Sequence, residues 1–412
     1  MQTLSAFVFY YPLFMAFFWT LGSMLFFLRR ERGSRTPPVL AQWPLVSILV
    51  PCHNEEKDIA ATIERLANNR YPHFEIIAIN DGSSDGTATI LAGLLARHDR
   101  LRVLTLERNL GKAMALRAGA YASRGEFLMC VDADALLDED ALFWMIPHFL
   151  EGPRVAAVTG NPRVQNRHGL LARIQIGEFA SIISMVKRSQ RDLGRVFTVS
   201  GVHVCYRKRA LHESGYWSAR TVTEDIDISW RLQLHYWDVR YEPRALSWIK
   251  VPETLRGLWR QRLRWARGGI EAALRYGRMM RGWPKRRMWP VMIEYVVGCA
   301  WNYAWLVFVI CFLLTWLLPG VWPAALSVPT LVPQWTGVLL GTVCVLQFVV
   351  GLYLDSHYEK GILRNLFWAI WYPMLYWMLS SLTTVVAIPE VVLRNKRERY
   401  ALWQSPERGD LS

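Results

Sequence analysis

From Leu4 to Leu28 the chain carries no charged side chain. A hydrocarbon layer about 30 Å thick takes about 20 apolar residues to cross as a helix. Inside that layer every backbone N–H and C=O must be satisfied within the segment, so the run has to be helical. It lacks a basic start and a small-residue cleavage site, and reads as a retained anchor rather than a removable leader. Arg29, Arg30, Arg32 and Arg35 follow at once. Basic residues stay on the cytoplasmic side, which is expected to place the chain beyond Arg29 in the cytoplasm.

Three further apolar segments, about Met288–Leu318, Trp335–Leu354 and Leu366–Ile388, lie in the last third. The loop Pro319–Gln334 is uncharged and suits the outer side, whereas Asp355–Arg364 is charged and suits the cytoplasm. Three crossings leave the tail outside. Arg394, Lys396, Arg397 and Arg399 argue for a tail inside. A re-entrant or interfacial path for the last segment, which contains Pro373, is the alternative. Hydrophobic residues make up 52% of the chain and charged residues 20%, too apolar for a soluble domain and too charged for membrane throughout. The expected division is an anchor (1–30), a linker (31–44), a soluble domain (45–252), amphipathic interfacial helices (253–287), membrane segments (288–390) and a tail (391–412).

The net charge of +14 is concentrated: Arg256 to Arg287 holds eleven Lys or Arg and one acid, Glu271. Such a stretch beside a membrane span suits anionic head groups of membrane lipids or a substrate phosphate. Its basic residues alternate with Leu258, Trp259, Leu263 and Trp265, an interfacial pattern that argues against nucleic acid as a partner. The six cysteines form no C-x-x-C pair and suit buried structural thiols in a reducing compartment; a zinc site has no support.

Between Pro44 and Pro252 strand-like and helix-like runs alternate. Strands are predicted at Leu45–Val50, Phe74–Ile79, Leu101–Leu106, Glu126–Val131 and Val155–Thr159. Helices are predicted at Asp58–Asn69, Thr87–His98, Lys112–Ala122 and Asp225–Leu234. This is an α/β domain with a mostly parallel sheet. Right-handed crossovers bring the carboxyl ends of its strands to one edge, where ligands bind. The polar clusters stand at those ends: His53-Asn54-Glu55, Asn80-Asp81-Gly82, and Asp132-Ala133-Asp134.

Gly111-Lys112 resembles the end of a phosphate loop, but Leu106 stands where the first glycine must be and Ala113 where Ser or Thr must be. No G-x-G-x-x-G or H-E-x-x-H occurs. Asp132 and Asp134, one residue apart at the end of an apolar strand, can share a hard divalent cation; a lone D-x-D is otherwise a surface turn. Lys112 at a helix start suits an anionic phosphate, or is a solvated surface lysine. Thr223 is a credible N-cap, and Asp225 is either an ordinary first-turn carboxylate or a base that takes a proton from an attacking hydroxyl. Gln261, Arg264 and Trp265 share one helix face and suit a phosphate and a sugar ring; a lipid-facing helix shows the same residue types.

In that order, Asp81, Asp132-x-Asp134, Thr223-Glu224-Asp225 and Gln261-x-x-Arg264-Trp265 resemble the processive family 2 glycosyltransferases, which make cellulose, chitin, hyaluronan and related polymers. The likeness runs over nearly the whole chain from about Ser47. The flanking stretches Pro51-Cys52-His53-Asn54-Glu55, Thr159-Gly160-Asn161-Pro162-Arg163, Thr198-Val199-Ser200-Gly201-Val202, Tyr216-Trp217-Ser218 and Pro252-Glu253-Thr254-Leu255 look closest to the bacterial branch that joins N-acetylglucosamine by β-1,6 bonds.

The resemblance implies a GT-A type fold, UDP-N-acetylglucosamine as donor, Mg2+ or Mn2+, a growing polysaccharide as acceptor, and a small membrane partner subunit in a bacterial inner membrane. It implies that Asn54, Glu55 and Asp81 hold uridine, that Lys112 meets the diphosphate, and that Asp132 and Asp134 serve the sugar nucleotide and metal. Asp225 is then the general base, Ser200 and Gly201 line the acceptor site, and Gln261, Arg264 and Trp265 hold the diphosphate and acceptor end. A single-sugar transferase to a lipid carrier gives no reason for the Gln261–Trp265 motif. A degenerate binding module predicts loss of a carboxylate among Asp132, Asp134 and Asp225, and all three are present. A chitin, hyaluronan or cellulose synthase shares the motifs and differs in the flanking stretches.

Overall fold

The computed structural model describes residues 1–33, 36–331, 334–369 and 377–393. Arg35, Pro373, Arg394, Lys396, Arg397 and Arg399, which bear on the membrane topology, lie outside the described residues.

The anchor is helix α1, Gln2–Phe26, extended by a π turn at Phe27–Glu31. The soluble domain then runs β1 Val46–Cys52, α2 Ile59–Ala67, β2 Phe74–Asp81, α3 Thr87–Leu95, β3 Leu101–Leu106, α4 Lys112–Ala122 and β4 Phe127–Val131. It continues through β5 Leu136–Leu137, α5 Ala141–Glu151, β6 Val155–Val164, α6 Leu170–Glu178, a π turn Phe179–Ser184, and α7 Met185–Asp192. After β7 His203–Arg207 come α8 Lys208–Glu213, α9 Glu224–Leu234 and β8 Asp238–Ile249. The amphipathic helix α10 spans Leu255–Tyr276, and short 3-10 turns at Gly277–Met280 and Trp283–Met288 lead into α11, Trp289–Leu317. Helices α12 Gln334–Asp355, α13 Leu366–Ala369 and α14 Met378–Leu393 complete the described chain.

The eight strands form one sheet in the order β3-β2-β1-β4-β7-β6-β8-β5. The β3-β2-β1-β4 half is parallel, as the βα alternation predicts. The other half is mixed: β7 runs antiparallel to β4 and β6, β8 is parallel to β6, and β5 is antiparallel to β8. Sequence reading misses β5, β7 and β8 and stops β6 at Thr159. Alternate strand residues point to opposite faces. Val46, Ile48 and Val50 pack with α2, α3 and α5 on one face, while Leu49, Ile77 and Ile79 pack with α4 and α9 on the other. Both faces are therefore buried, which is why these strands read as continuous apolar runs.

Among the described residues, helices at Gln2–Glu31, Trp283–Leu317 and Trp335–Asp355 are long and apolar enough to cross a membrane. Of the fourth predicted segment, the described parts are α13 and the 16-residue α14. Helix α14 packs on α10 and α11, with Arg267 of α10 2.6 Å from Glu390.

Candidate functional site

The carboxyl end of β4, the loop before β7 and the start of α9 meet around one ammonium group. Lys112 opens α4, and its Nζ lies 2.5 Å from Asp132 Oδ1 and 3.1 Å from Glu224 Oε1, while donating to the Gly201 carbonyl at 3.0 Å. Burial works against the charged form, but Asp132 and Glu224 outweigh it and hold Lys112 protonated. Lys112 is thus no solvated surface lysine. In this arrangement it is a tether and a fixed positive charge beside the carboxyl end of β4.

The loop that aims Lys112 is built by Asp81. This carboxylate is fully buried at the end of β2, and its oxygens accept from Leu110 N–H at 2.9 Å and Gly111 N–H at 2.8 Å. At the end of β1, Asn54 adopts a left-handed backbone (φ 56°), and its Oδ1 accepts from Ser84 N–H at 2.8 Å. The Glu55 N–H donates to Thr87 Oγ1 at 2.9 Å. The structure therefore brings Asn54, Glu55 and Asp81 together with the β2 loop, as three neighbouring polar strand ends predict. Gly82-Ser83-Ser84-Asp85-Gly86 has the G-x-S-x-G spacing of a hydrolase nucleophile turn. The Ser84 hydroxyl donates to Asn54 Oδ1 at 3.3 Å, so its one proton is not aimed at a base.

Asp132 is held by its own N–H donating to the Val202 carbonyl at 2.9 Å, and Asp134 is buried two residues on. Ser200 N–H donates to Thr159 Oγ1 at 2.7 Å, which fixes the loop that presents Gly201. Gly201 faces Asp225 so closely that an added Cβ would stand 2.9 Å from Asp225 Oδ2. Asp225 accepts from Ile226 N–H at 2.9 Å at the N-terminal turn of α9. Burial and the neighbouring Glu224 charge push its pKa up to about 6, against the pull of Lys112, the Ile226 amide and Arg264.

Its two acidic neighbours are otherwise engaged. Glu224 pairs with Lys112. Asp227 is fully buried and accepts from Tyr276 at 2.6 Å, with Arg275 at 3.0 Å and Arg231 at 2.8 Å. Thr223 occupies the N-cap position of α9, but its side chain makes no capping hydrogen bond. It is buried against Gly268 of α10, where a Cβ would come 1.9 Å from Thr223 Oγ1. Thr223 is thus the N-cap by position, as expected, without a side-chain capping bond.

Helix α10 brings its motif to this site. Arg264 is exposed yet acts on the Asp225 charge. Gln261 and Trp265 are half-buried, and Gln261 Oε1 has no donor among the described residues. Sequence reading omits two neighbours. Arg262 pairs with buried Glu178 at 2.7 Å, and its guanidinium lies 4.1 Å from the Trp265 ring centre. Lys187 of α7 is buried within the field of Asp225, and burial lowers it to about 8 against that carboxylate's pull. Lys187 carries no sequence signal because it is a cation on the buried side of its helix.

Comparison with known proteins now bears on this geometry. A family profile described as "Glycosyltransferase like family 2" matches residues 44–268. A poly-β-1,6-N-acetyl-D-glucosamine synthase from Staphylococcus epidermidis is 38% identical over 98% of both chains. A protein of the same name from Staphylococcus aureus is 37% identical over 98% of both. The chain belongs to the family 2 glycosyltransferases. As the resemblance in the motifs implies, it is a membrane-associated enzyme that transfers a hexose. A mannosyltransferase from Pyrobaculum calidifontis, solved in complex with GDP-Man and Mn2+, superposes with a TM-score of 0.68 over 95% of this chain and 97% of that one, at 17% identity. That likeness establishes the GT-A fold of this family 2 enzyme.

Proposed function

We propose that the chain polymerises N-acetylglucosamine from UDP-N-acetylglucosamine into a β-1,6-linked polysaccharide, with inversion at the anomeric carbon. The observation that carries the reading is Asp225, a buried carboxylate pushed up to about 6 and set against Gly201 at the acceptor loop. A base poised near working pH is what deprotonation of a sugar hydroxyl requires. One such carboxylate suffices for inversion, and Asp227 is engaged by Tyr276, Arg275 and Arg231. The relatives' shared name supports the sugar and linkage.

Asn54, Glu55 and Asp81 form the uridine end of the donor site, and Arg264 the diphosphate end. Ser200, Gly201, Gln261 and Trp265 form the acceptor side. Two carboxylates one residue apart offer hard oxygen donors and leave most coordination positions to a diphosphate and water, which fits Mg2+ or Mn2+. Among the described residues no cluster of three ligating side chains competes for such an ion. Asp132 and Asp134 would hold it, and it would neutralise charge on the departing diphosphate.

The soluble domain works on the cytoplasmic side of a bacterial inner membrane, where nucleotide-sugars are made. A small helical partner subunit completes the shield around the emerging polymer, because unpaired polar groups in hydrocarbon are costly. The deciding experiment incubates membranes containing the chain, with and without that partner, with radiolabelled UDP-sugars, then digests the product with linkage-specific hydrolases. Polymer from UDP-N-acetylglucosamine cut only by a β-1,6-specific enzyme supports the reading. A β-1,4 polymer or a single transferred sugar refutes it.

A further inference from the structure

Near the carboxyl end of α9, the opposite end from Asp225, a cavity of about 250 Å³ opens where the soluble domain meets the start of α11. Its charged lining is of one sign: Arg154, Arg195, Lys285, Arg286 and Arg287, with no acidic residue among them. Several of these are held in place. Arg154 donates to the Tyr236 carbonyl at 2.6 Å, Lys285 donates to the Leu234 carbonyl, and its ammonium lies 3.8 Å from the Tyr236 ring centre. Arg195 is the informative member. It is only 6% exposed, and its Nε has no acceptor among the described residues. The nearest carboxylate, Asp238, stands 3.9 Å from its Nη1 and is itself shared with Arg191 and Arg240. Burial lowers Arg195's proton affinity, Asp238 opposes this, and Arg287 and Arg154 add to it.

Five cations around one cavity, one of them buried with an unused donor, are an arrangement that the chain's own groups do not neutralise. The missing component is an anion with several acceptor oxygens, since guanidinium groups match phosphate geometry. The location narrows its source. Trp283 is 68% exposed beside the cavity, and Trp289 begins a helix long and apolar enough to span a membrane. Aromatic residues of this kind mark the level of lipid head groups. We propose that this cavity binds a phosphate-bearing anion, the head group of an anionic phospholipid in the adjoining leaflet.

The test uses the full chain, purified, delipidated, and titrated with phosphatidylglycerol, phosphatidylcholine or inorganic phosphate. Retention is followed by native mass spectrometry and by the shift in unfolding temperature, since a ligand of the folded state raises it. Phosphatidylglycerol is expected to bind at a saturable site, with phosphatidylcholine bound far more weakly. Arg154 and Arg287 are exposed, so Arg154→Gln and Arg287→Gln leave the fold intact. Each is expected to weaken phosphatidylglycerol about fivefold, the effect of one cation near an anionic surface. Arg97→Gln, on an exposed pair with Glu64 elsewhere, is the control and should change nothing. Equal binding of the two lipids, or wild-type affinity in both cavity variants, overturns the proposal. Inorganic phosphate binding that the cavity variants abolish, with no preference for phosphatidylglycerol, overturns the lipid source.

Discussion

Asp225 gives the sharpest test of the chemistry. Moving a carboxyl from its ordinary 3.8 to about 6 makes ionisation about 3 kcal/mol less favourable than in water. The sign follows for both activity and stability. The base must be ionised, so kcat/KM should fall as pH drops through about 6. A carboxyl raised on folding destabilises the native state fully above its folded value, and that penalty fades as pH falls toward the unfolded one. Asp225→Asn should therefore lose about 10²–10⁴ in turnover, the usual worth of a general base, while binding UDP-sugar normally and unfolding at a higher temperature than wild type at pH 7.5. Glu224 is the largest charge raising Asp225, so Glu224→Gln should move the acid limb below 6 with a milder loss. The assay is initial-rate polymer synthesis from pH 5 to 8, with donor affinity by calorimetry and unfolding by scanning fluorimetry. More than about a tenth of wild-type turnover in Asp225→Asn contradicts the base assignment. Loss of UDP-sugar binding in that variant moves Asp225 to the donor side, and an acid limb unmoved in Glu224→Gln contradicts the electrostatic account.

Chelator should abolish transfer, and added Mg2+ or Mn2+ restore it; Asp134→Asn should lose most turnover because an amide is a poorer ligand for a hard cation, and full activity in excess chelator counts against this. Gly201→Ala would set a methyl 2.9 Å from Asp225 Oδ2; a displacement of a few tenths of an ångström should cost about tenfold in kcat with donor affinity unchanged, whereas an unaltered kcat would show that the carboxylate does not need that placement. Arg188→Met should destabilise the chain by about 3–5 kcal/mol, since it strands buried carboxylates; Glu31→Gln added to it should recover part of the loss, and a neutral single variant in denaturation would refute the pairing.

The parallel half of the sheet is legible because both its faces are covered, so β1, β2 and β4 show as uninterrupted apolar runs with polar residues confined to their ends. Strand β8 hides because its half-buried positions and Pro243 break the run, and β7 because His203 and Arg207 leave only three apolar residues between them. Residues of α6 and α7 hide for a different reason. Gln175, Glu178, Lys187 and Arg188 are buried polar groups stabilised by partners 77 or more positions away or by a neighbouring ring, so no local period reveals them. At the site the order of carboxylates is readable, but the pairing of Lys112 with Asp132 and Glu224 is not. A lysine at a helix start has the same sequence signature whether it faces solvent or closes an ion cluster.

That dependence on distant partners is concentrated where the membrane helices meet the catalytic domain. Arg188 of α7 grips Glu31, at the end of the α1 extension, with Nε at 2.7 Å and Nη2 at 3.0 Å, and reaches Asp355, the last residue of α12, at 3.0 Å. Arg163 of β6 takes the other Asp355 oxygen at 2.6 Å, Arg167 takes Glu359 at 2.6 Å, and Tyr358 donates to Glu31 at 2.5 Å. Three arginines meet three carboxylates, so the cluster is neutral as a whole although Arg188, Glu31 and Asp355 are each almost completely buried. A buried pair is weak as a source of stability but demanding in geometry, because displacing one member strands the others. The ends of two apolar helices are thereby fixed to β6 and α7 and not merely appended to them. Helix α7 also carries Lys187, beside Arg188 and within the field of Asp225 of α9, so one short element links the ion cluster to the proposed base. A tilt of α1 or α12 that broke the cluster would shift α7 and the Lys187 charge within the field of Asp225. The register between membrane helices and active site is in this way set by the same residues that fold the domain.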